Sequence, residues 1–230
     1  AARAVLAKNG VDTEVAHPRC CGMPTLEHGN LESVAEAARE VAKDLLAYVD
    51  DGRRVIALIP SCALMLKFEW PLIVPDDDVA RLANATSNIS EYMVDIARNE
   101  GLAPGLRPLD GGVTLQLACH ARAQNMGPKA ADMLRLVPET DVSVIERCSG
   151  HGGSWGIYKE NFESALEVGK PVARQALEST GEDAGSHVTS ECPLAGVHIA
   201  QGMERLKAEG ADGASHAQTP HPIELLARAY

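Results

Sequence analysis

The feature that most constrains the fold is a cysteine turn that occurs twice. Arg19-Cys-Cys-Gly22 recurs in the second half of the chain as Arg147-Cys-Ser-Gly150, and a short valine-containing run precedes both copies. The segment around Cys62 likewise resembles the segment around Cys192, and a third pair of segments follows in the same order. The spacing between the copies grows slightly from the first pair to the last. A slowly growing offset is typical of a unit that was duplicated and whose loops later lengthened.

Strand-like runs alternate with helical patterns throughout both copies. Such alternation predicts parallel sheets joined by right-handed crossovers. We therefore predict an α/β protein made of two tandem pseudo-repeated lobes, each a small parallel sheet flanked by helices. Residues 101–112 are rich in glycine and proline, which favours a boundary between units there. The first unit would span 1–105 and the second 106–230.

Apolar periodicity and helix caps place the individual elements. The expected helices span 3–9, 31–49, 88–100, 128–136, 159–180, 194–209 and 222–229. The expected strands span 11–16, 54–60, 113–118, 142–147, 187–191 and 214–219. Gly169 and Pro171 should break or kink the helix that contains them. Residues 71–78 are expected to form a loop, Ser61 to cap a helix that Cys62 opens, and His216 and His221 to begin helices without chemistry.

The cysteines are the candidate functional residues, and each lies at or next to the end of a strand-like run. They are Cys20, Cys21, Cys62, Cys119, Cys148 and Cys192. Ligands of open α/β sheets bind at the carboxyl ends of the strands, and neighbouring strands lie about 4.8 Å apart, so sulfurs from three strands can converge. A disulfide framework follows no such rule, and a vicinal disulfide is strained. The pattern therefore predicts metal binding or redox use.

Two histidines accompany the cysteines of the second unit. His120 follows Cys119 directly, and His151 lies within the glycine-rich turn after Cys148. Either imidazole can complete a set of metal ligands or simply hydrogen-bond a sulfur or a carbonyl. The glycines of this turn do not have the spacing of a dinucleotide-binding loop.

Composition excludes several classes of partner. The net charge is −11, and a negative chain is repelled by a phosphate backbone, so we expect no nucleic acid partner. No apolar run approaches the about 20 residues that span a bilayer, so we expect no transmembrane segment. An acidic chain of this length with no visible export signal favours a reducing compartment, and we expect a cytoplasmic protein.

The motifs resemble those of the CCG-domain iron–sulfur oxidoreductases. This family includes the B-type protein of heterodisulfide reductase and the C-type protein of anaerobic glycerol-3-phosphate dehydrogenase, and it carries twice a lone cysteine, then Cys-Cys-Gly, then Cys-x-x-Cys. The resemblance covers the chain from end to end. Ser149, Met65 and Ala195 depart from it, since each stands where the family has a further cysteine. The matching segments are 19–22, 60–67, 118–120, 146–148 and 191–195.

The resemblance implies an iron–sulfur subunit whose six cysteines bind clusters. It would pass electrons between a flavin-containing dehydrogenase subunit and a quinone, a membrane-anchored acceptor or a disulfide, so a peripheral position at the inner face of the membrane is also expected. The three departures favour a [4Fe–4S] cluster over the five-cysteine noncubane form. The first unit lacks a counterpart of Cys119, so we also expect this chain to be a C-terminal fragment with a further cysteine upstream.

Two other functions fit the same residues. Cys119, Cys148 and Cys192 with a histidine would make a tetrahedral zinc site in a structural module. Cys20 and Cys21 would alternatively serve a thiol–disulfide redox protein.

Overall fold

The structure is a computed structural model that describes residues 1–16, 18–180, 186–214 and 219–230. Its helices are α1 Ala2–Lys8, α2 Met23–Glu27, α3 Leu31–Asp50, α4 Pro60–Leu64, α5 Trp70–Ile73, α6 Asp77–Ala85, α7 Ile89–Asn99, α8 Cys119–Ala123, α9 Lys129–Leu134, α10 Phe162–Thr180, α11 Pro193–Ala208 and α12 Pro222–Ala229. A π-helical turn covers Met65–Glu69, and a 3-10 turn covers Trp155–Ile157. The strands are β1 Val55–Ala57, β2 Thr86–Asn88, β3 Val113–Gln116, β4 Val142–Ile145 and β5 His187–Ser190.

The strands form two small sheets, and both are parallel. β1 pairs with β2 in the first sheet, and β3 lies between β4 and β5 in the second. Val113 stands opposite Val142 on one side and His187 on the other, so all three strands of the second sheet start in step. Their carboxyl ends therefore meet at one edge. The predicted fold class, two small parallel sheets flanked by helices, is confirmed.

Helix α3 shows how local sequence produces the flanking layer. Its buried stripe includes Val34, Ala38, Val41 and Leu45, which recur at the helical period and pack on one face. The Asn30 side chain caps the helix by accepting a hydrogen bond from the Ser33 amide. The opposite face is exposed and charged. Within the described parts of the chain, no helix combines the length and apolar character needed to cross a bilayer.

One hydrophobic cluster draws residues from both sheets and their helices. Ile89 and Met93 of α7 pack in the same cluster as Met133 of α9 and Leu225 of α12, and all four are fully buried. Burial of this kind contributes about 25 cal/mol per Å² of apolar surface. The proposed boundary near residue 105 therefore separates two units of sequence that share a core, and the division itself stays a prediction.

Two expectations about strands were wrong. Residues 11–16 are irregular rather than a strand, because none of the described strands pairs with them and their backbone groups face solvent. β2 was not predicted, because Thr86–Asn88 is a buried polar triplet without the apolar pattern of a strand. The expected strand over 214–219 falls mainly on residues 215–218, which lie outside the described residues, as does His216.

Three expectations about helices also need correction. The loop expected over 71–78 is largely helical, with Pro71 in the first turn of α5, where its missing amide costs no hydrogen bond. α4 begins at Pro60, and Ile59 precedes it without a side-chain cap, so Ser61 is not its cap. α10 runs unbroken past Gly169 and Pro171. Pro171 is on the solvent side of α10, so the carbonyl that it leaves unpaired faces water.

Candidate metal centres

The second sheet brings three cysteines to one edge. Cys148 follows β4, Cys119 follows β3 and begins α8, and Cys192 follows β5 and immediately precedes α11. Because the sheet order is β4, β3, β5 with all strands parallel, these cysteines leave from the same edge of adjacent strands. This is the arrangement expected from the sequence. We call this set, together with His151, the second cysteine group.

Cys119 and Cys148 lie next to each other in this group. Burial raises the pKa of the Cys119 thiol, and the neighbouring Cys148 raises it further. The Cys148 sulfur accepts a hydrogen bond of 3.4 Å from the Gly150 amide. Two adjacent thiols whose ionisation is mutually unfavourable are suited to a cation that binds both as thiolates.

Cys192 meets His151 on the other side of the group. The Cys192 sulfur lies 3.8 Å from His151 Nε2, and His151 Nδ1 lies 2.8 Å from the Ser149 hydroxyl. Burial raises the pKa of Cys192, although the backbone amides of Ala195 and Leu194 at the start of α11 act in the opposite direction. Burial lowers the pKa of His151, and a nearby histidine on α11 adds to this. Without a metal, the pair is therefore a neutral thiol beside a neutral imidazole.

The cysteines of the first unit form a second set of neighbouring thiols, which we call the first cysteine group. The Cys21 thiol donates to the Cys62 sulfur over 3.4 Å, and this hydrogen bond raises the pKa of Cys21 and lowers that of Cys62. The charge of Cys20 raises the pKa of Cys62, which indicates that Cys20 is close. The Cys20 sulfur accepts a hydrogen bond of 3.5 Å from the Gly22 amide. All six cysteines are free thiols.

Glycine allows both cysteine turns to form. Gly22 has φ +81° and Gly150 has φ +91°, a left-handed conformation that residues with a side chain rarely adopt. A Cβ atom at Gly150 would lie 2.1 Å from the carbonyl oxygen of Ala165. A Cβ atom at Gly169 would lie 2.2 Å from the carbonyl oxygen of Ser149. The turn that carries Cys148 therefore packs directly against the backbone of α10.

Helix N-termini face several of the sulfurs. The Met23 amide at the start of α2 lowers the pKa of Cys21, and Cys62 lies in the first turn of α4. Cys119 is the first residue of α8. Free amides and the helix dipole favour negative charge at such positions, so they stabilise thiolates.

The two groups contact each other through a carboxylate. Glu27 at the end of α2 accepts hydrogen bonds of 3.2 Å from the Ser154 amide and 3.4 Å from the Ser154 hydroxyl. A Cβ atom at Gly153 would lie 2.0 Å from Glu27 Oε1. The turns that follow Cys21 and Cys148 are thus joined directly. Sequence reasoning missed Glu27, since nothing in the pattern around this glutamate indicates a contact with the other half of the chain.

Some residues singled out in the sequence have other roles. Arg19 pairs with Glu40, and this hydrogen bond raises the pKa of Arg19, so its charge is already compensated. His120 is half-buried on α8, and its backbone carbonyl accepts a hydrogen bond from Gln124. The side chains at positions 65 and 195, which replace family cysteines, are buried in the core. Ser149 orients His151, a role that its place in the repeat did not suggest.

The donors were tested against the groups that they would hold. In the described residues, no three His, Cys, Asp or Glu side chains are arranged around a single metal ion. A tetrahedral zinc site requires such an arrangement, with thiolates about 3.8 Å apart for bonds of about 2.3 Å. Each thiolate of an iron–sulfur cluster binds a different iron, so its ligands need not converge on one point. Grouped thiols at helix N-termini fit a cluster in donor type and charge.

The thiol–disulfide alternative finds less support. Cys21 shares its proton with Cys62 rather than pairing with Cys20. The raised pKa of Cys21 makes it a poor nucleophile near neutral pH, because the thiolate is the reactive form.

Comparison with known proteins agrees with the resemblance expected from the motifs. Residues 1–67 match the model of the CCG cysteine-rich domain. The C-type protein of the anaerobic glycerol-3-phosphate dehydrogenase of Escherichia coli K12 is 26% identical over 216 residues, which cover 92% of this chain and 49% of that protein. The lactate utilization protein A of Bacillus cytotoxicus is 24% identical over 185 residues, covering 72% of this chain and 74% of the relative. The chain thus spans about half the length of the first of these curated relatives. The predicted resemblance to CCG-domain proteins is confirmed.

Proposed function

We propose that this chain, as a relative of CCG-domain proteins, is an iron–sulfur electron-transfer subunit of an oxidoreductase. The observation that carries the proposal is the gathering of its six cysteines, far apart in sequence, into two groups at helix N-termini. The match of residues 1–67 to the CCG cysteine-rich domain supports it. A protein of this kind transfers electrons and depends on its partners for substrate oxidation.

In this proposal the cysteines hold one cluster in each group. Cys20, Cys21 and Cys62 would be the ligands in the first group, and the second group would use Cys119, Cys148 and Cys192. Bound iron–sulfur clusters would supply one-electron oxidation and reduction. A [4Fe–4S] form is proposed, because the buried Met65 and Ala195 occupy positions that a five-cysteine cluster would need.

The chain's own residues contribute binding, charge compensation and exclusion of water. The amides of Gly22 and Gly150 donate to Cys20 and Cys148, and such hydrogen bonds stabilise thiolates and tune the potential of what they bind. Cys21 is buried, and the fully buried Trp70 donates its indole N–H to the Cys21 carbonyl over 3.1 Å. This fixes the turn and shields one side of the group. Cys20, Cys119 and Cys148 are exposed, which suits electron exchange at the surface.

The name of the first relative suggests the partner. By analogy with a component of anaerobic glycerol-3-phosphate dehydrogenase, we propose a flavin-containing dehydrogenase subunit as the electron donor. The acceptor would be a quinone, a membrane-anchored protein or a disulfide. A cytoplasmic location, with peripheral attachment to the inner face of the membrane, follows from the same analogy.

The test uses the intact protein purified without oxygen. Iron and acid-labile sulfide are quantified, and electron paramagnetic resonance is recorded after reduction with dithionite. Cys62→Ser and Cys148→Ser should each lose about half of the iron, while Ser33→Ala, on the exposed side of α3, should retain all of it. Protein that contains zinc and no sulfide would overturn the proposal and favour a structural module. Protein that binds neither metal, even after reconstitution with iron and sulfide, would overturn both.

A further inference from the structure

The two cysteine groups differ in one ligand type. The first has the vicinal pair Cys20 and Cys21, whereas the second has Ser149 in place of the second cysteine and His151 two residues later. We propose that His151 supplies its Nε2 atom as the fourth ligand of the second group, oriented by Ser149. The second centre would then have three thiolates and one imidazole, and a higher reduction potential than the first. This inference rests on the proposed function.

The distances carry the assignment. His151 Nε2 lies 3.8 Å from the Cys192 sulfur, so the ring nitrogen and the thiol already share one space at the sheet edge. The other ring nitrogen, Nδ1, lies 2.8 Å from the Ser149 hydroxyl. A metal-bound imidazole characteristically donates its second N–H to an oxygen, which fixes the tautomer and the orientation of the ring. Ser149 is 3% exposed, so its hydroxyl has no ready alternative partner in solvent.

The backbone holds His151 in this orientation. The Gly156 amide donates a hydrogen bond of 2.7 Å to the His151 carbonyl, closing the turn. A Cβ atom at Gly156 would lie 2.5 Å from the same carbonyl, so only glycine fits there. Gly150 packs against Ala165 of α10 at the other end of the turn. The imidazole is therefore placed by close packing before any metal binds.

The electrostatics suit ligation better than a catalytic pair. A thiolate–imidazolium pair needs a thiol that ionises easily and an imidazole that protonates easily. Here burial disfavours both changes, raising the pKa of Cys192 and lowering the pKa of His151. Metal ligation needs a neutral imidazole, which is the form that this environment favours.

The other histidines nearby do not compete for this role. His120 lies on α8 beside Cys119, and its described hydrogen bond uses the backbone carbonyl. His198 is buried with Nε2 unpartnered, yet its ring packs edge-on against Phe162 and its Cδ2 faces α10. His151 is thus the imidazole that reaches a thiol of the group in the described structure.

The consequence is a direction for electron flow. An imidazole brings one negative charge fewer than a thiolate, so the added electron is better accommodated, and replacing cysteine by histidine raises the potential of iron–sulfur centres. The Glu27 contact with Ser154 joins the turns of the two groups. Electrons would therefore enter at the first group and collect at the second.

The test is spectroscopic and uses the intact protein with both clusters reconstituted. Pulsed electron paramagnetic resonance of the reduced protein should show coupling to one nitrogen, and labelling with ¹⁵N-histidine should change its frequency. His151→Gln should abolish the coupling, while His28→Gln on the exposed end of α2 should leave it intact. His151→Cys should restore all-thiolate ligation and lower the midpoint potential of one centre, with the other unchanged.

The outcomes separate this inference from the proposed function. Two clusters without histidine coupling, or a coupling that His120→Gln abolishes and His151→Gln does not, would overturn the role of His151 and leave the electron-transfer function standing. Protein that never takes up iron would overturn both. Circular dichroism on each variant shows whether it is folded, and His151→Cys, which changes a single ligand, covers the case in which His151→Gln fails to fold.

Discussion

Asn88 and His221 occupy the same place at two helix starts, one in each copy of the repeat. Asn88 caps α7 in a capping box with Glu91, and His221 caps α12 in a capping box with Glu224. The imidazole Nδ1 of His221 accepts from the Ile223 amide over 3.2 Å, much as the Asn88 side chain accepts from an amide of α7. The repeat in the sequence thus extends to matching hydrogen bonds, and it supplies a conservative substitution for His221.

His221→Asn should flatten the dependence of stability on pH. Burial lowers the pKa of His221 below its ordinary value of 6.5, although the Leu58 carbonyl, Glu224 and the Glu191 carbonyl oppose this. The folded state therefore binds a proton less readily than the unfolded state. The stabilising contribution is fully present above pH 6.5 and is lost as pH falls below it, by at most about 1.4 kcal/mol per pH unit.

Urea unfolding of the metal-free protein between pH 5 and 8 checks this prediction. The asparagine variant keeps the cap and should lose less stability below pH 6.5 than the wild type. His28→Asn, at an exposed site, is the control and should follow the wild type. Identical curves for all three proteins would contradict the role assigned to His221.

Ser90→Ala should destabilise the fold by about 1 to 3 kcal/mol. The Ser90 hydroxyl donates to Glu191 Oε1 over 3.0 Å, and both residues are buried. Glu191 Oε2 already lacks a partner, so the variant would leave the whole carboxyl unpartnered. The free energy of unfolding measures the effect, with Ser33→Ala as a helical control expected to change it by less than about 0.5 kcal/mol. Equal effects at the two positions would argue against a stabilising bond.

Gly150→Ala should cost at least twice as much stability as Gly210→Ala. The two glycines have similar left-handed backbones, with φ +91° and φ +95°. A Cβ atom at Gly150 would collide with backbone of α10, whereas one at Gly210 would meet nothing within 4 Å. The Gly210 variant therefore isolates the conformational cost of about 1 to 2 kcal/mol. Comparable urea midpoints for the two variants would show that the turn yields easily.

Thiol modification of the metal-free protein should proceed in a defined order. Cys20, Cys119 and Cys148 are exposed and should react first, while buried Cys21, whose pKa is raised by its hydrogen bond to Cys62 and by burial, should react last. Mass spectrometry of peptides after brief alkylation follows each site. Reconstitution with iron and sulfide should protect all six cysteines, and a cysteine that stays reactive would be excluded as a ligand.

Local patterns in the sequence predicted much of the helical layer. The boundaries of α12 and of α3 were found to within one residue, because a strong apolar period coincided with clear caps at Asn30 and His221. The cysteine positions at the edge of the second sheet followed from the alternation of strands and helices alone. These features depend on interactions close in sequence or on a general rule of topology.

The features that were missed depend on partners distant in the chain. Residues 11–16 have a strand-like pattern, yet no described strand lies beside them. β2 is polar and became a strand only because β1 pairs with it. The link from Ser149 through His151 to Cys192 joins separate segments of the chain, and composition or spacing alone gives no distance between them.

The core shared by α7, α9 and α12 has a consequence for how the chain can be divided. Ile89 and Met133 belong to one cluster although they lie on opposite sides of residue 105. Fragments produced separately would each expose an oily surface and aggregate, whereas the same fragments synthesised together should assemble. Heating should therefore melt the protein in a single transition, and the ancestral duplication no longer survives as two bodies that unfold independently.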